Sequence, residues 1–192
     1  MAERGGQGAL NPGVARREVW AWAMYDFANS GYTTVVLTAV FNAYFVAVVT
    51  GNAPWGTFAW TAALSVSYLV VMLLGPVVGA RADAHAAKKR LLAVSTVTCV
   101  IGTVGLSWAG PGMVGWAVAF VIVSNVAFAI GENLCAAFLP EIARPEALGK
   151  VSGWGWSLGY FGGILALAIS LAWVMTAPSR GSTSGEAVAE RC

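Results

Sequence analysis

Residues 20–49 read WAWAMYDFANSGYTTVVLTAVFNAYFVAVV and contain a single charged side chain, Asp26. A helix needs about 20 apolar residues to cross the roughly 30 Å hydrocarbon layer of a membrane. Such a helix satisfies its own backbone hydrogen bonds, which lipid cannot do. The alternating polar pattern of barrel strands, in segments of about 10 residues, is absent. Residues 20–49 are therefore predicted to form a transmembrane helix.

Four further apolar segments lie at residues 55–80, 91–109, 112–139 and 151–175. Hydrophobic residues make up 58% of the chain and charged residues 10%, whereas soluble domains contain about 45–50% and about 25%. The sequence therefore predicts an all-α fold, a polytopic transmembrane bundle of five helices.

The remaining sequence divides into two polar ends. Residues 1–19 lack the apolar region of a cleavable signal peptide and are predicted to form a polar cytoplasmic arm. Residues 176–192 are polar and small, which is typical of a disordered tail. They contain no apolar run long enough for a sixth crossing. The membrane domain is predicted to span residues 20–175.

Basic residues predict the orientation of the bundle. Nine lie in the arm and in two loops on the same side, and the opposite short loops carry none; the nine are Arg4, Arg16, Arg17, Arg81, Lys88, Lys89, Arg90, Arg144 and Lys150. Because short cytoplasmic loops are enriched in Lys and Arg, the N-terminus and loops 81–90 and 140–150 are predicted to be cytoplasmic. The predicted location is a bacterial cell membrane.

Several functional classes find no support in the composition. The net charge is +2, which is too small to indicate a nucleic-acid partner. Cys99, Cys135 and Cys192 are scattered and form neither a disulfide framework nor a metal motif. Because nucleotide-binding loops are also absent, no cofactor or metal is predicted.

Two acidic residues, Asp26 and Glu132, lie inside apolar segments. Ionisable residues within a membrane are costly and mark solute or ion pathways by default. At a rise of about 1.5 Å per residue, each lies about 10 Å from the cytoplasmic end of its helix. The predicted substrate or ion pathway comprises Asp26, Asn29, Ser30, Thr33, Asn125, Glu132 and Asn133. The alternative is that the two acids cap backbone groups or pair with arm or loop cations.

The last helix carries Gly155, Gly159 and Gly163 at four-residue spacing, a pattern that favours close helix packing. The same stretch contains Gly155–Gly159, GWSLG, which fits the G-x-S-x-G nucleophile pattern. An intramembrane serine protease is disfavoured because the single histidine, His85, lies in a loop and the apolar segments contain no lysine.

The loop GARADAHAAKKR, residues 79–90, resembles the cytoplasmic signature of the major facilitator superfamily. Its loop-motif residues are Gly79, Asp83, Lys88, Lys89 and Arg90, although alanines replace the glycine and two basic positions inside the motif.

Three other stretches are similar to the vacuole-effluxer-like branch of that superfamily: WAMYDFANSGY at 22–32, AFLPEIA at 137–143 and GKVSGWGWSLGYFGG at 149–163. The resemblance implies the first five helices of an N-terminal half-domain, in which helices one and four line the transport cavity. It also implies secondary transport of a small solute by two rocking halves, with amino-acid efflux as the candidate activity and the chain as a truncated transporter.

The implied partners are the lipid bilayer, a small-molecule solute with protons as a candidate coupling ion, and a missing C-terminal half or another membrane subunit. A non-transporting membrane fragment or assembly element is the alternative function.

Overall fold

A computed structural model describes residues 8–84 and 86–176 of the chain. Residues 1–7 of the predicted arm, the predicted tail beyond residue 176, and His85 lie outside the described residues. The described part is almost entirely helical, and it contains one isolated antiparallel bridge, between Leu10 and Ala143, but no strand. The prediction of an all-α fold is confirmed.

Five helices are long and apolar enough to cross a membrane, which confirms the predicted helical membrane bundle. Labelled in chain order, they are α1 (Arg16–Val49), α2 (Gly56–Ala84), α3 (Lys88–Leu106), α4 (Val114–Ala136) and α5 (Leu148–Met175). A short helix, Leu139–Ile142, and a 3₁₀ turn, Pro145–Ala147, form the α4–α5 connection.

Helix α1 is continuous but changes its winding along its length. It is an α-helix over Arg16–Tyr32 and Val40–Tyr44, and a π-helix over Thr33–Ala39 and Phe45–Val49. π-helical turns are rare in proteins overall, but those that occur are often found at functional sites. The first of them begins directly after the segment that carries Asp26.

Helices α1 and α4 lie at the centre of the bundle. The most extensive pairings are α1 with α5, α3 with α4, and α2 with α4. At one end, Trp60 packs against Phe41 and Phe45, with ring centroids 6.0 and 5.3 Å apart. The Tyr44 hydroxyl also donates a hydrogen bond to the carbonyl oxygen of Ala109, 2.8 Å away. These contacts fix the end of α1 against its neighbours.

At the opposite end, the described part of the arm, residues 8–15, packs on the α4–α5 connection. Leu10, Ile142 and Val151 form a small apolar cluster there. The arm was predicted only to be polar and cytoplasmic, and the structure shows that its described residues are docked.

Candidate functional site

The predicted pathway residues of α1 and α4 meet at one hydrogen bond. Asn29 Nδ2 donates to Glu132 Oε1 across 2.6 Å. Asp26 lies one turn earlier on the same face of α1. The three side chains are half-buried. Helices α1 and α4 therefore share a polar site that carries two acidic groups.

Helix α5 closes one side of this site with a glycine. A Cβ atom at Gly159 would lie 2.5 Å from Asp26 Oδ2 and 2.8 Å from Ser30 Oγ. No carbon side chain fits at that distance without a shift of its neighbours. Ser30 itself donates to the backbone oxygen of Asp26 across 2.8 Å, which orients its hydroxyl along α1.

Three more glycines of α5 also contact α1. Gly155 packs against the ring of Trp22, and Gly163 lies beside the Thr34 hydroxyl. Gly162, which was not among the predicted packing residues, makes the closest approach, to the backbone carbonyl of Phe27. The glycine row allows two helix backbones to meet next to the acidic site.

Thr33 completes the polar face of α1. Its side chain is exposed, and its backbone oxygen accepts a hydrogen bond of 2.8 Å from Thr38 Oγ1, five residues later. Residues 26, 29 and 33 are separated by three and four positions, so their side chains project from one helix face.

Tyrosines form a second set of contacts that sequence reasoning missed. The hydroxyls of Tyr32 and Ser124 are 2.7 Å apart and join α1 to α4. Those of Tyr25 and Thr96 are 3.2 Å apart and join α1 to α3. The signal was present in the seven-residue spacing of the two tyrosines, which puts both on one face of α1.

The structure places Asn125 away from this site, in the contact between α4 and α2. It is fully buried, and its Nδ2 donates to Ser67 Oγ across 2.6 Å. Ser67 in turn donates to the backbone oxygen of Leu64 across 2.7 Å. Among the described residues Asn125 Oδ1 has no hydrogen-bond partner. Asn125 therefore joins α2 to α4 and does not extend the acidic site.

Asn133 also lies elsewhere. It is exposed and borders a small cavity of about 70 Å³, together with Gly79, Asp83 and Lys88 of the loop motif. Adjacent helical residues are rotated by about 100°, so Asn133 and Glu132 face different neighbours.

Within the loop motif, Lys88 forms ion pairs with two acidic residues. Its Nζ lies 3.0 Å from Asp83 Oδ1 and 2.7 Å from Glu141 Oε1. Glu141 belongs to the α4–α5 connection and was not predicted as part of the motif. Lys89 and Arg90 are exposed. One lysine thus links two connections on the same end of the bundle.

A larger cavity, of about 450 Å³, lies between α1, α3 and α5. This volume is within the usual range for small-molecule sites, about 300–1,000 Å³. Of the predicted pathway residues, Asn29 borders it. Its other polar lining includes Tyr25, Thr96, Thr103 and Ser170.

Ser157 of the G-x-S-x-G pattern is an ordinary helical residue. Its hydroxyl donates to the backbone oxygen of Gly153 across 2.7 Å within α5. The nucleophile pattern requires a sharp turn from a strand into a helix, and here it lies inside a helix.

Comparisons with known proteins identify the family. The family model for "Vacuole effluxer Atg22 like" proteins matches residues 57–189. An uncharacterised MFS-type transporter, YxiO of Bacillus subtilis (strain 168), is 29% identical over 160 residues, covering 82% of this chain. The chain spans 37% of the length of that relative. No solved structure matches the chain significantly. Both matches are to transport proteins and not to enzymes, and the chain belongs to the vacuole effluxer Atg22-like family.

Proposed function

We propose that the five helices form part of a secondary transporter in a bacterial cell membrane, and that the Asp26–Asn29–Glu132 site lies on its solute pathway. The main support for this proposal is the hydrogen bond between Asn29 and Glu132, with Asp26 one turn before Asn29 on α1. Acidic groups in membrane segments are expensive to bury and are associated with substrate and ion pathways.

The charge of the site favours one chemical class of solute. Residues 20–80, 91–143 and 151–175 contain no lysine or arginine, so no basic side chain of these segments neutralises Asp26 and Glu132. An ammonium group would supply the missing positive charge and donate to both carboxylates. The proposed solute is therefore a small amine such as an amino acid, and its export from the cell would agree with the description of the family as effluxers. Protons are the proposed coupling ion, because each carboxylate can bind one.

The proposed mechanism is alternating access. Transporters of this superfamily move two halves around a central site near the bilayer midplane. Close packing of α5 on α1 and of α3 on α4 favours movement of each pair as a unit, and the Asn29–Glu132 hydrogen bond links the two pairs. A second half, supplied by further sequence or by another membrane subunit, would face α1 and α4. The arm and the loops 81–90 and 140–150 would face the cytoplasm.

Efflux from living cells tests the proposal. Asp26→Asn and Glu132→Gln are introduced at the chromosomal gene, so that the protein is tested with the length and partners that the cell gives it. Cells are loaded with isotope-labelled amino acids as dipeptides, and export is timed. Each substitution should slow export of at least one amino acid about tenfold, because a lost hydrogen bond to a charged group costs roughly 1.5–3 kcal/mol.

Glu146→Gln is the matched control, since Glu146 is an exposed acid of the α4–α5 connection. It should leave export unchanged, and immunoblots of membranes should show equal amounts of all variants. Normal export in both Asp26→Asn and Glu132→Gln cells would remove these residues from the pathway. Normal export of every amino acid in cells without the gene would reject amino-acid efflux and favour a different solute or an assembly role.

A further inference from the structure

The docked arm is held by backbone and side-chain hydrogen bonds to the α4–α5 connection. The backbone nitrogen of Asn11 donates to the carbonyl oxygen of Ile142 across 3.0 Å. Its side-chain Nδ2 donates to the carbonyl oxygens of Pro140 and Glu141, at 2.9 and 3.0 Å. The arm therefore has a defined position next to the first turn of α1.

A cavity of about 380 Å³ lies between the arm and the start of α1. Arg16, the first residue of α1, and Arg144, from the α4–α5 connection, both line it. The arm contributes a tight turn, in which Gly13 has a φ of +86°, a value that side-chain-bearing residues rarely adopt. Two arginines that are distant in sequence thus face one space.

Arg144 is oriented by the arm. Its Nε donates to the backbone oxygen of Leu10 across 3.0 Å, and its backbone nitrogen donates to the backbone oxygen of Ala9 across 3.0 Å. Within residues 8–84 and 86–176, neither Arg144 nor Arg16 forms an ion pair. The outer N–H groups of both guanidinium groups are available, and such groups match the oxygens of a phosphate.

The acidic residues near the cavity lie in the first turn of α1 and in the α4–α5 connection, and two of them bind groups other than the two arginines. Glu18 Oε2 accepts a hydrogen bond of 3.0 Å from the backbone nitrogen of Ala15, and Glu141 accepts from Lys88. Glu146 is exposed, as are the basic residues Arg17 and Lys150. The arginines of the cavity therefore lack a carboxylate partner in the described chain.

The position of the cavity indicates where an anion would come from. The helix that contains the first candidate membrane span begins at Arg16, and its apolar stretch begins at residue 20, so we expect the cavity to lie at a bilayer surface. Trp20, one turn later, is 60% exposed, and tryptophans of this kind are enriched at the level of lipid headgroups. Basic pockets at the membrane surface bind anionic lipid headgroups.

We propose that the cavity lined by Arg16 and Arg144 binds the phosphate group of an anionic phospholipid. The bound headgroup would join the arm, the first turn of α1 and the α4–α5 connection through one anion. This site is separate from the acidic site of α1 and α4 and is independent of the transported solute.

The test uses the full 192-residue chain in a neutral detergent. Phosphatidylglycerol, phosphatidylcholine or inorganic phosphate is added, and bound lipid is counted by native mass spectrometry while the thermal midpoint is recorded. One variant is Arg16→Gln, which removes no hydrogen bond seen in the described chain. The other is Arg144→Lys, which keeps the positive charge but loses the paired N–H donors of the guanidinium group. Lys89→Gln is the charge-matched control, because Lys89 is exposed and outside the cavity.

Wild type and Lys89→Gln should retain phosphatidylglycerol in preference to phosphatidylcholine, whereas Arg16→Gln should bind it about fivefold more weakly. Arg144→Lys should also be weaker. Stabilisation by inorganic phosphate with the same dependence on the arginines would support the phosphate site and assign it to a soluble anion. Equal phosphatidylglycerol binding by Arg16→Gln and Lys89→Gln would overturn the proposal, as would equal retention of the two lipids by wild type.

Discussion

Asn29 and Glu132 are 103 positions apart in the chain, and their side chains are joined by a hydrogen bond of 2.6 Å between Nδ2 and Oε1. The bond connects the two central helices at the place where both carry an acidic group. An amide that donates to a carboxylate leaves the other carboxylate oxygen free for a solute or a proton. The bond therefore positions Glu132 without using up its capacity to bind.

The packing of α5 against α1 gives the first prediction. Gly162→Ala should lower the free energy of unfolding by about 1–3 kcal/mol, the usual cost of overpacking, because the new methyl group would meet the carbonyl oxygen of Phe27. Gly153→Ala is the control, since a Cβ there meets no atom within 4 Å. Unfolding in detergent, followed by circular dichroism, measures both. Equal stability of the two variants would show that α5 can move away from α1 at no cost.

The buried pair of Asn125 and Ser67 gives the second prediction. Ser67→Ala removes the acceptor of Asn125 Nδ2 inside the protein. It should destabilise the chain, and Asn125→Leu should then cost less in the Ser67→Ala background than alone. A double-mutant cycle should give a coupling of about 1 kcal/mol, as for other polar contacts between membrane helices. Additive effects would mean that the two side chains do not interact.

Lys88 gives the third prediction, through its contacts with Asp83 and Glu141. Lys88→Gln should lower the thermal midpoint in low salt, whereas the exposed neighbour Lys89→Gln should not. The difference should shrink at about 1 M salt, where the Debye length falls to about 3 Å. A difference that is the same in low and high salt would show that packing, and not charge, explains the role of Lys88.

The orientation of the bundle gives the fourth prediction. In a background without the three native cysteines, a cysteine at Ala86 should be protected from a membrane-impermeant thiol reagent in intact cells. A cysteine at Pro54, in the α1–α2 turn, should react. Both positions are exposed. The reverse pattern would place the basic loops outside the cell.

Much of the fold could be predicted from the sequence, because a membrane demands long apolar helices and five such segments are present. The meeting of Asp26 and Glu132 could also be anticipated, since equal distances from one membrane face place two residues at similar depth. The rotation of each helix about its own axis could not be predicted. Glu132 and Asn133 are adjacent in sequence, yet one contacts α1 and the other borders the loop motif.

Connections were harder to predict than helices. Glu141 lies in a short segment whose path depends on packing with the arm, so its contact with Lys88 has no signal in hydropathy or helical periodicity. The docking of Asn11 on the same segment has the same cause. Its two side-chain hydrogen bonds are to backbone oxygens, and any connection of this shape could supply such acceptors.

The proposed solute pathway requires that the polar face of α1 borders water, and the reactivity of a cysteine at Thr33 tests this requirement. Thr33 is exposed on the face that carries Asp26 and Asn29, whereas Val97 of α3 is 57% exposed among apolar neighbours. A charged methanethiosulfonate reagent is added to both sides of membranes from cells that produce each variant in a cysteine-free background. We expect the cysteine at Thr33 to react and the cysteine at Val97, which would face lipid, to remain unmodified. If the cysteine at Thr33 is as unreactive as the one at Val97, the polar face is not lined by water and the proposed pathway is wrong.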